Sequence, residues 1–313
     1  MTRGPGSPEE NRVSAVSQGR FPIPLRARSL LLLSLALGPG AALAQWQPDY
    51  EASVLYDNNV PRAQLSSDIV HDSAVAARAS LGRSFAAGEA GDIGLSLDAR
   101  ALRYARYEGA SVLSAGATAS YDRKLGLGLT APRFGAETSI AWEDSPEAVR
   151  DGARFGALAF LAKRFDERLH ASVSVAYDRR EQRDDMPVVA GKAGDPFSLQ
   201  SRSVTARARY AFGERATFVA SAGARSGDVV SSTRRNPQIF GQAAALAPDP
   251  AFGPDYVAYR LTGARTASFS AGFSYELSRR ASLEALVTAD DTRARGDLDY
   301  DRRVLSLTWA YRP

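Results

Sequence analysis

Few side chains in this sequence could carry catalysis. There are only two histidines, and the first, His71, stands beside Asp72 and close to Asp68. A histidine and an aspartate on a loop can activate water for hydrolysis. The polar stretch around these residues is more typical of a solvated loop, so we predict that the chain is not an enzyme.

Metal and cofactor sites are also not indicated. The chain has no cysteine, which excludes disulfides, thiolate zinc sites and iron–sulfur clusters. No acidic run has the D-x-D-x-D-G spacing of a calcium loop. The acidic cluster near the C-terminus has the pattern of a solvated loop, and its members are Asp290, Asp291, Asp297, Asp299 and Asp301. We therefore expect no cofactor and no metal.

The net charge of +4 does not indicate nucleic-acid binding. Residues 1–44 hold five arginines and two glutamates out of the 39 basic and 35 acidic residues of the chain. Removing them leaves 34 basic and 33 acidic residues, so the remaining chain is almost neutral. A nucleic-acid binder should carry its basic excess on the folded domain. We therefore expect no nucleic-acid partner.

Residues 1–44 have the pattern of a bacterial export signal. Two arginines precede a leucine-rich run over 30–37, which a Gly-Pro-Gly sequence ends. Ala42 and Ala44 are the small residues that a signal peptidase reads, so cleavage before Gln45 is expected. The run is far shorter than the roughly 20 residues of a membrane-spanning helix. We predict two parts, an N-terminal extension with a cleavable signal peptide (1–44) and a mature chain (45–313).

The mature chain alternates between apolar and small polar residues, which is the period of a β-strand. Between Thr266 and Leu277, aromatic, alanine and leucine residues fall on one face and mostly serine, threonine and glycine on the other. Twelve such segments can be placed, at roughly 49–57, 74–86, 91–106, 110–123, 132–144, 153–165, 168–180, 201–213, 216–229, 264–278, 281–292 and 301–312.

The connections between these segments mostly alternate between short turns and longer polar loops. An even strand number with short turns at one end and long loops at the other is typical of a bacterial transmembrane β-barrel. The longest connection, 230–263, contains four prolines and is expected to be the most mobile loop. Its ends, 228–230 and 256–259, could prolong the flanking strands beyond the membrane, and a count of fourteen strands is the alternative.

The residues of the second face distinguish this barrel from a soluble β-sandwich. A sandwich would place long charged side chains on its outer face, whereas here the polar face is mainly serine, threonine, glycine and alanine. Aromatic residues near the strand ends fit the two interfacial girdles of a membrane barrel. They are Phe85, Tyr121, Phe134, Phe165, Phe212, Phe218, Tyr275 and Tyr311 at the short-turn rim, and Tyr56, Tyr107, Trp142, Phe155 and Tyr177 at the other.

The export signal, the twelve alternating segments and the terminal Leu305–Tyr311 segment together resemble a Gram-negative outer-membrane β-barrel protein. This resemblance covers 45–313 and implies an outer-membrane location, periplasmic termini and insertion by the barrel-assembly machinery. The chain departs from the pattern by ending on Arg312 and Pro313 after its last aromatic residue. The Leu55–Val60 segment more weakly resembles barrels of surface-lipoprotein assembly modifiers and exopolysaccharide-associated porins.

Several charged residues fall on the face that such a barrel turns inward. They are Arg78, Arg100, Arg207, Arg209, Arg225, Asp98, Glu137, Asp178, Glu276 and Glu284. These charges either fill the interior as salt bridges or form a pore wall that selects solutes. The second histidine, His170, shares the inward parity with Ser172 and Ser174, whereas a Ser–His pair that cleaves lipid would have to face outward.

Two functions remain open on the sequence. The first is a passive channel for small polar solutes, with a modest anion preference from inward arginines expected in the middle or outer half of their strands. The alternative is an assembly or export accessory that recognises a polysaccharide or a surface protein through its long loops. Both would place the chain in contact with outer-membrane lipid.

Overall fold

The computed structural model describes residues 46–295 and 298–313, so the predicted signal segment and its cleavage site lie outside the described residues. In the described part, twelve long antiparallel strands close into a barrel. The first six are β1 (Gln47–Asp57), β2 (Asp72–Ala86), β3 (Gly91–Tyr104), β4 (Val112–Lys124), β5 (Arg133–Asp144) and β6 (Gly152–Arg164). The others are β7 (Leu169–Gln182), β8 (Leu199–Phe212), β9 (Ala216–Arg234), β11 (Tyr256–Ser278), β12 (Ala281–Ala294) and β13 (Leu298–Tyr311), and a short extra strand, β10 (Ala245–Pro248), pairs with β11.

The predicted twelve-stranded antiparallel barrel is confirmed. Each long strand pairs with its neighbours along the chain, except that β9 pairs with β11, and β1 pairs with β13 to close the ring. Closure leaves no free strand edge, which is what allows a sheet to cross a lipid bilayer with all its backbone groups paired. No helix in the described residues is long and apolar enough to span a membrane.

The alternation of residue types fixes which face of each strand points outward. Phe269 and Phe273 on β11 are 62% and 59% exposed on the outer surface. Between them, Ser270 faces the interior, where its hydroxyl lies 2.6 Å from the hydroxyl of Ser221 on β9. The outer surface is therefore apolar, as contact with lipid requires.

The two ends of the barrel differ as the sequence predicts. The short-turn end holds tight connections such as the one at Gly213, whose positive φ of 75° favours glycine. β1 begins and β13 ends here, where Arg312 forms an ion pair with Asp49. At the opposite end, 58–71, 145–151, 183–198 and 235–255 pack on one another, and we call these four segments the loop cap.

The 230–263 segment is folded and packed, and its ends prolong the flanking strands as the sequence allowed. β9 and β11 extend beyond 229 and 264 and pair with each other, as Ser231 with Tyr259. The connection that remains contains a short helix, α1 (Pro237–Gln242), and β10, so the fourteen-strand alternative is not formed.

The buried core clusters lie where this loop cap packs on the long-loop ends of the strands. Ile239 and Leu246 pack with Leu261 in one cluster, and Val149 packs with Phe197 in a second. Burial of these apolar side chains is what stabilises the loops. A third cluster contains Ala251, Phe252 and Tyr256. Tyr107 packs against this cluster, 5.4 Å from the ring of Phe252, and not in the lipid girdle that the sequence suggested.

Candidate functional site

The candidate functional site is the interior of the barrel, because its wall carries small polar side chains and a cavity lies at each end. Cross-strand hydroxyl pairs such as Ser53 with Thr308, 2.9 Å apart, line the wall. A barrel of more than eight strands has a wider interior than its side chains fill, unless those side chains are bulky. Serine, threonine and glycine at the inward positions therefore leave room for water and small solutes.

Two cavities occupy the ends of this interior. The long-loop cavity measures 520 Å³ and lies between the barrel wall and the loop cap. The short-turn cavity measures 740 Å³ and opens at the other end. Both are lined by inward residues from several strands around the ring, so both belong to the lumen and not to the outer surface.

Three of the ten predicted lumen charges are engaged in close ion pairs. Arg78 on β2 donates to Asp98 on β3 at 2.7 Å and lies 3.8 Å from Glu51 on β1. Asp178 on β7 accepts from Arg154 on β6 at 2.7 Å. These three residues form interior salt bridges, which is the first of the two roles that the sequence allowed for the inward charges. Their charges are locally neutralised and contribute little to the field in the lumen.

The other arginines of the set have no carboxylate partner. Arg225 donates to the backbone oxygen of Asp228 at 2.8 Å. Arg100, Arg207 and Arg209 make no ion pair with any described residue. Arg207 and Arg209 line the short-turn cavity, so the expectation that the arginines lie in the middle or outer half of their strands is wrong for these two.

The remaining predicted charges are three glutamates at inward positions. Glu137 pairs in register with Ser120 on β4. Glu276 and Glu284 stand opposite Ser282 and Ser274, near the short-turn end. Neither of these two glutamates forms an ion pair with a described residue.

Several charged residues of the long-loop cavity were missed by the sequence interpretation. Glu143 accepts from Arg180 at 2.5 Å and lies 3.6 Å from Arg154. These three follow the inward parity of β5, β6 and β7, so continuing the alternation to the strand ends would have found them. Arg150 and Arg62 lie in loops, where no periodicity indicates direction.

A buried ion pair joins two segments of the loop cap, 145–151 and 235–255. Arg150 donates to both carboxylate oxygens of Asp249, at 3.1 and 2.6 Å, and stacks on the ring of Phe197. The hydroxyl of Ser232 on β9 also donates to Asp249. Burial raises the pKa of the neighbouring Glu147, and the Asp249 carboxylate raises it further, so ionisation of Glu147 opposes the folded loop.

The histidines are not assembled with the groups that the hydrolytic alternatives require. His71 is exposed, and its ring lies 5.9 Å from that of Tyr56. The carboxylate of Asp72 accepts instead from backbone N–H groups, including that of Tyr107 at 3.0 Å. His170 lines the short-turn cavity beside Arg209.

The C-terminal acidic cluster does not converge on one point. Asp290 faces inward and accepts from Ser268 at 2.7 Å, whereas Asp291 lies 3.6 Å from Arg293. Asp297 lies outside the described residues. Within the described residues, no group of three or more histidine or acidic side chains is arranged to hold a metal ion.

Comparison of the sequence with protein-family models gave no match, and comparison with curated proteins gave none either. Similar solved structures include an outer membrane channel from Pseudomonas putida F1, with a TM-score of 0.55 and 11% identity, covering 88% of this chain and 100% of that chain. The NanC porin has a TM-score of 0.42 and 9% identity, covering 84% of this chain and 98% of that chain. The CymD monoaromatic hydrocarbon channel has a TM-score of 0.44 and 12% identity, with 93% coverage of both chains.

The first of these likenesses shows that the two chains share the fold of a closed antiparallel β-barrel. The other two are too distant to support an argument. Fold similarity at this level of identity does not fix what crosses a barrel, so function has to be argued from the lumen itself.

Proposed function

We propose that the protein is a passive channel of the outer membrane for small polar solutes. The observation that carries this proposal is the contrast between the two faces of one closed sheet. The outer face exposes apolar side chains that outer-membrane lipid can cover, and the inner face is polar and hollow, with a cavity at each end. Insertion by the barrel-assembly machinery is part of the same proposal.

Planar-bilayer recording with the refolded protein tests this function. We expect stable open-channel steps, since the lumen wall carries few bulky side chains. Ser221→Trp should lower the conductance, because Ser221 faces the lumen. Ala220→Trp is the matched control, since Ala220 lies on the outer face in register with Ala271. A folded barrel that passes no current would contradict the channel and favour the assembly or export accessory.

The same proposal includes a modest preference for anions. Arg100, Arg207 and Arg209 lack carboxylate partners among the described residues, and a guanidinium stays charged at any working pH. The positive charges at the short-turn cavity also include Lys124 and Arg164, against a smaller number of acidic groups there. A net excess of unpaired charge of one sign along a pore wall selects ions of the opposite sign. Glu276 and Glu284, which lie at the same end and have no ion-pair partner among the described residues, offset part of this excess, so the preference is modest.

The reversal potential in a salt gradient measures this preference. The native channel should favour anions, and Arg207→Ala combined with Arg209→Ala should move the reversal potential toward cations. Arg103→Ala is the control, because Arg103 is exposed outside the lumen and paired with Glu108 at 2.9 Å. Cation preference in the native protein, or no shift in the double variant, would show that these arginines do not set selectivity.

A further inference from the structure

The segment after β1 forms a rigid turn that enters the barrel interior. Asp57 is fully buried and accepts from Arg302 at 2.9 and 2.6 Å. Asn59 is also buried, and its side chain bonds both backbone groups of Ala63, each at 2.9 Å, and the carbonyl oxygen of Asp301 at 3.0 Å. The Asp-Asn-Asn sequence thus has a structural role, which is to fix residues 59–63 against β13.

This turn holds Arg62 in an unusual conformation. Its φ of 58° is in the left-handed region, and in the described part of the chain it is the only positive φ outside glycine. A long side chain in this region costs free energy and persists only where the surroundings impose it. The backbone of Arg62 is fully bonded, since its N–H donates to Asn59 at 3.1 Å and its carbonyl oxygen accepts from Ser231 at 2.8 Å.

The side chain of Arg62 lines the long-loop cavity without a partner. Its guanidinium makes no hydrogen bond or ion pair with any residue that the structure describes. Burial lowers the pKa of Arg62, and the nearby Arg302 and Arg225 lower it further. A guanidinium keeps its proton even where it is buried in a protein, so Arg62 remains charged.

The acidic groups of this cavity are engaged elsewhere. Asp178 pairs with Arg154 and Glu143 pairs with Arg180, whereas Asp290 accepts from a serine hydroxyl and lies 3.9 Å from Arg302. Arg302 also pairs with Asp57 behind the wall. Arg62 and Arg225 have no carboxylate partner among the described residues, and both line this cavity of 520 Å³.

We propose that Arg62, assisted by Arg225, binds the carboxylate of a small organic anion in the long-loop cavity. A guanidinium can donate two parallel hydrogen bonds to one carboxylate, and a pair of this kind is stronger away from bulk water. Tyr104 and Tyr300, which are both largely buried, also line this cavity and make part of its wall aromatic. This site rests on the proposed channel function and would give the pore its substrate class.

Calorimetric titration of the refolded protein in detergent tests the site without requiring transport. Benzoate and benzamide serve as probes, because they match in size and differ in charge. We expect the native protein to bind benzoate in preference to benzamide. Arg62→Gly should weaken benzoate binding about tenfold or more, which is the usual worth of a charge-assisted hydrogen bond. Arg62→Lys should retain part of the affinity, and Arg225→Ala should weaken it.

Glycine is the informative replacement because it adopts the positive φ of residue 62 without strain. The Arg62→Gly barrel should therefore unfold no more easily than the native one, which separates loss of binding from loss of fold. Arg103→Ala, outside the lumen, should bind benzoate as the native protein does.

Three results would overturn the site. They are no binding of benzoate, equal binding of benzoate and benzamide, and unchanged binding by Arg62→Gly. A barrel that binds benzoate but passes no current would refute the channel and leave the site standing. A barrel that conducts but binds no benzoate would refute the site and leave the channel standing.

Discussion

Asp249→Asn is expected to open the loop cap. The substitution keeps the size of the side chain but leaves Arg150 largely buried without its counter-charge. Removing one partner of a buried ion pair typically costs about 3–5 kcal/mol, because the remaining charge stays desolvated. Since the pair joins two loops and not the strands of the barrel, its loss should destabilise the loop cap and leave the strands of the barrel paired. Limited proteolysis and hydrogen exchange should show faster cleavage and exchange within 235–255.

Two comparisons make this result specific. Glu108→Gln removes a partner of the exposed Arg103–Glu108 pair, where about 0–1 kcal/mol is expected and the loop cap should be unaffected. Combining Asp249→Asn with Arg150→Met should recover part of the lost protection, because no buried charge is then left unpaired. If Asp249→Asn leaves the protection of 235–255 unchanged, the ion pair does not hold the cap.

An arginine at position 271 is expected to impair insertion far more than one at position 270. Ala271 is exposed on the outer face, in register with Ala220 and Val287. An arginine facing lipid near the middle of the bilayer costs about 2–4 kcal/mol. Ser270 faces the lumen, so Ser270→Arg loses mainly the hydroxyl contact with Ser221, worth about 1 kcal/mol.

Refolding into lipid vesicles, followed by denaturant titration, compares the two variants. The folded fraction of Ala271→Arg should fall at denaturant concentrations where Ser270→Arg and the native protein remain inserted. Because the two positions are adjacent on β11, any general effect of an added arginine is the same for both. Equal losses would mean that the assigned inward and outward faces are wrong.

The sequence alone determined the barrel because its information is local and repeated. A period of two over about ten residues specifies a strand, and the residue types on its two faces specify lipid on one side and a polar lumen on the other. A slip of one residue would exchange the faces of a whole strand, so the alternation also fixes register. This is why the strands and their inward residues follow from segments such as 264–278.

Which charged residues pair with each other in the lumen was decided by the tertiary structure and could not be predicted from the sequence. Asp98 and Arg100 lie two residues apart on one face of β3 and carry opposite charges. Asp98 nevertheless pairs with Arg78 on the neighbouring strand. Positions i and i+2 of a strand are separated by two rises of about 3.3 Å, whereas neighbouring strands lie only about 4.8 Å apart. Arg100 is thereby left without a carboxylate, and the sequence could not show this.

The conformation of the loop cap depends on contacts between residues far apart in the chain. Arg150 and Asp249 are separated by 99 residues, and the hydroxyl of Ser231 bonds Arg62 across 169. Loops have no periodicity that would indicate which side chains are buried, so prolines and polar residues in 230–263 suggested mobility where the structure has a packed cluster. The position of Arg62 depends on the same long-range contacts, because only the folded turn directs its side chain into the lumen.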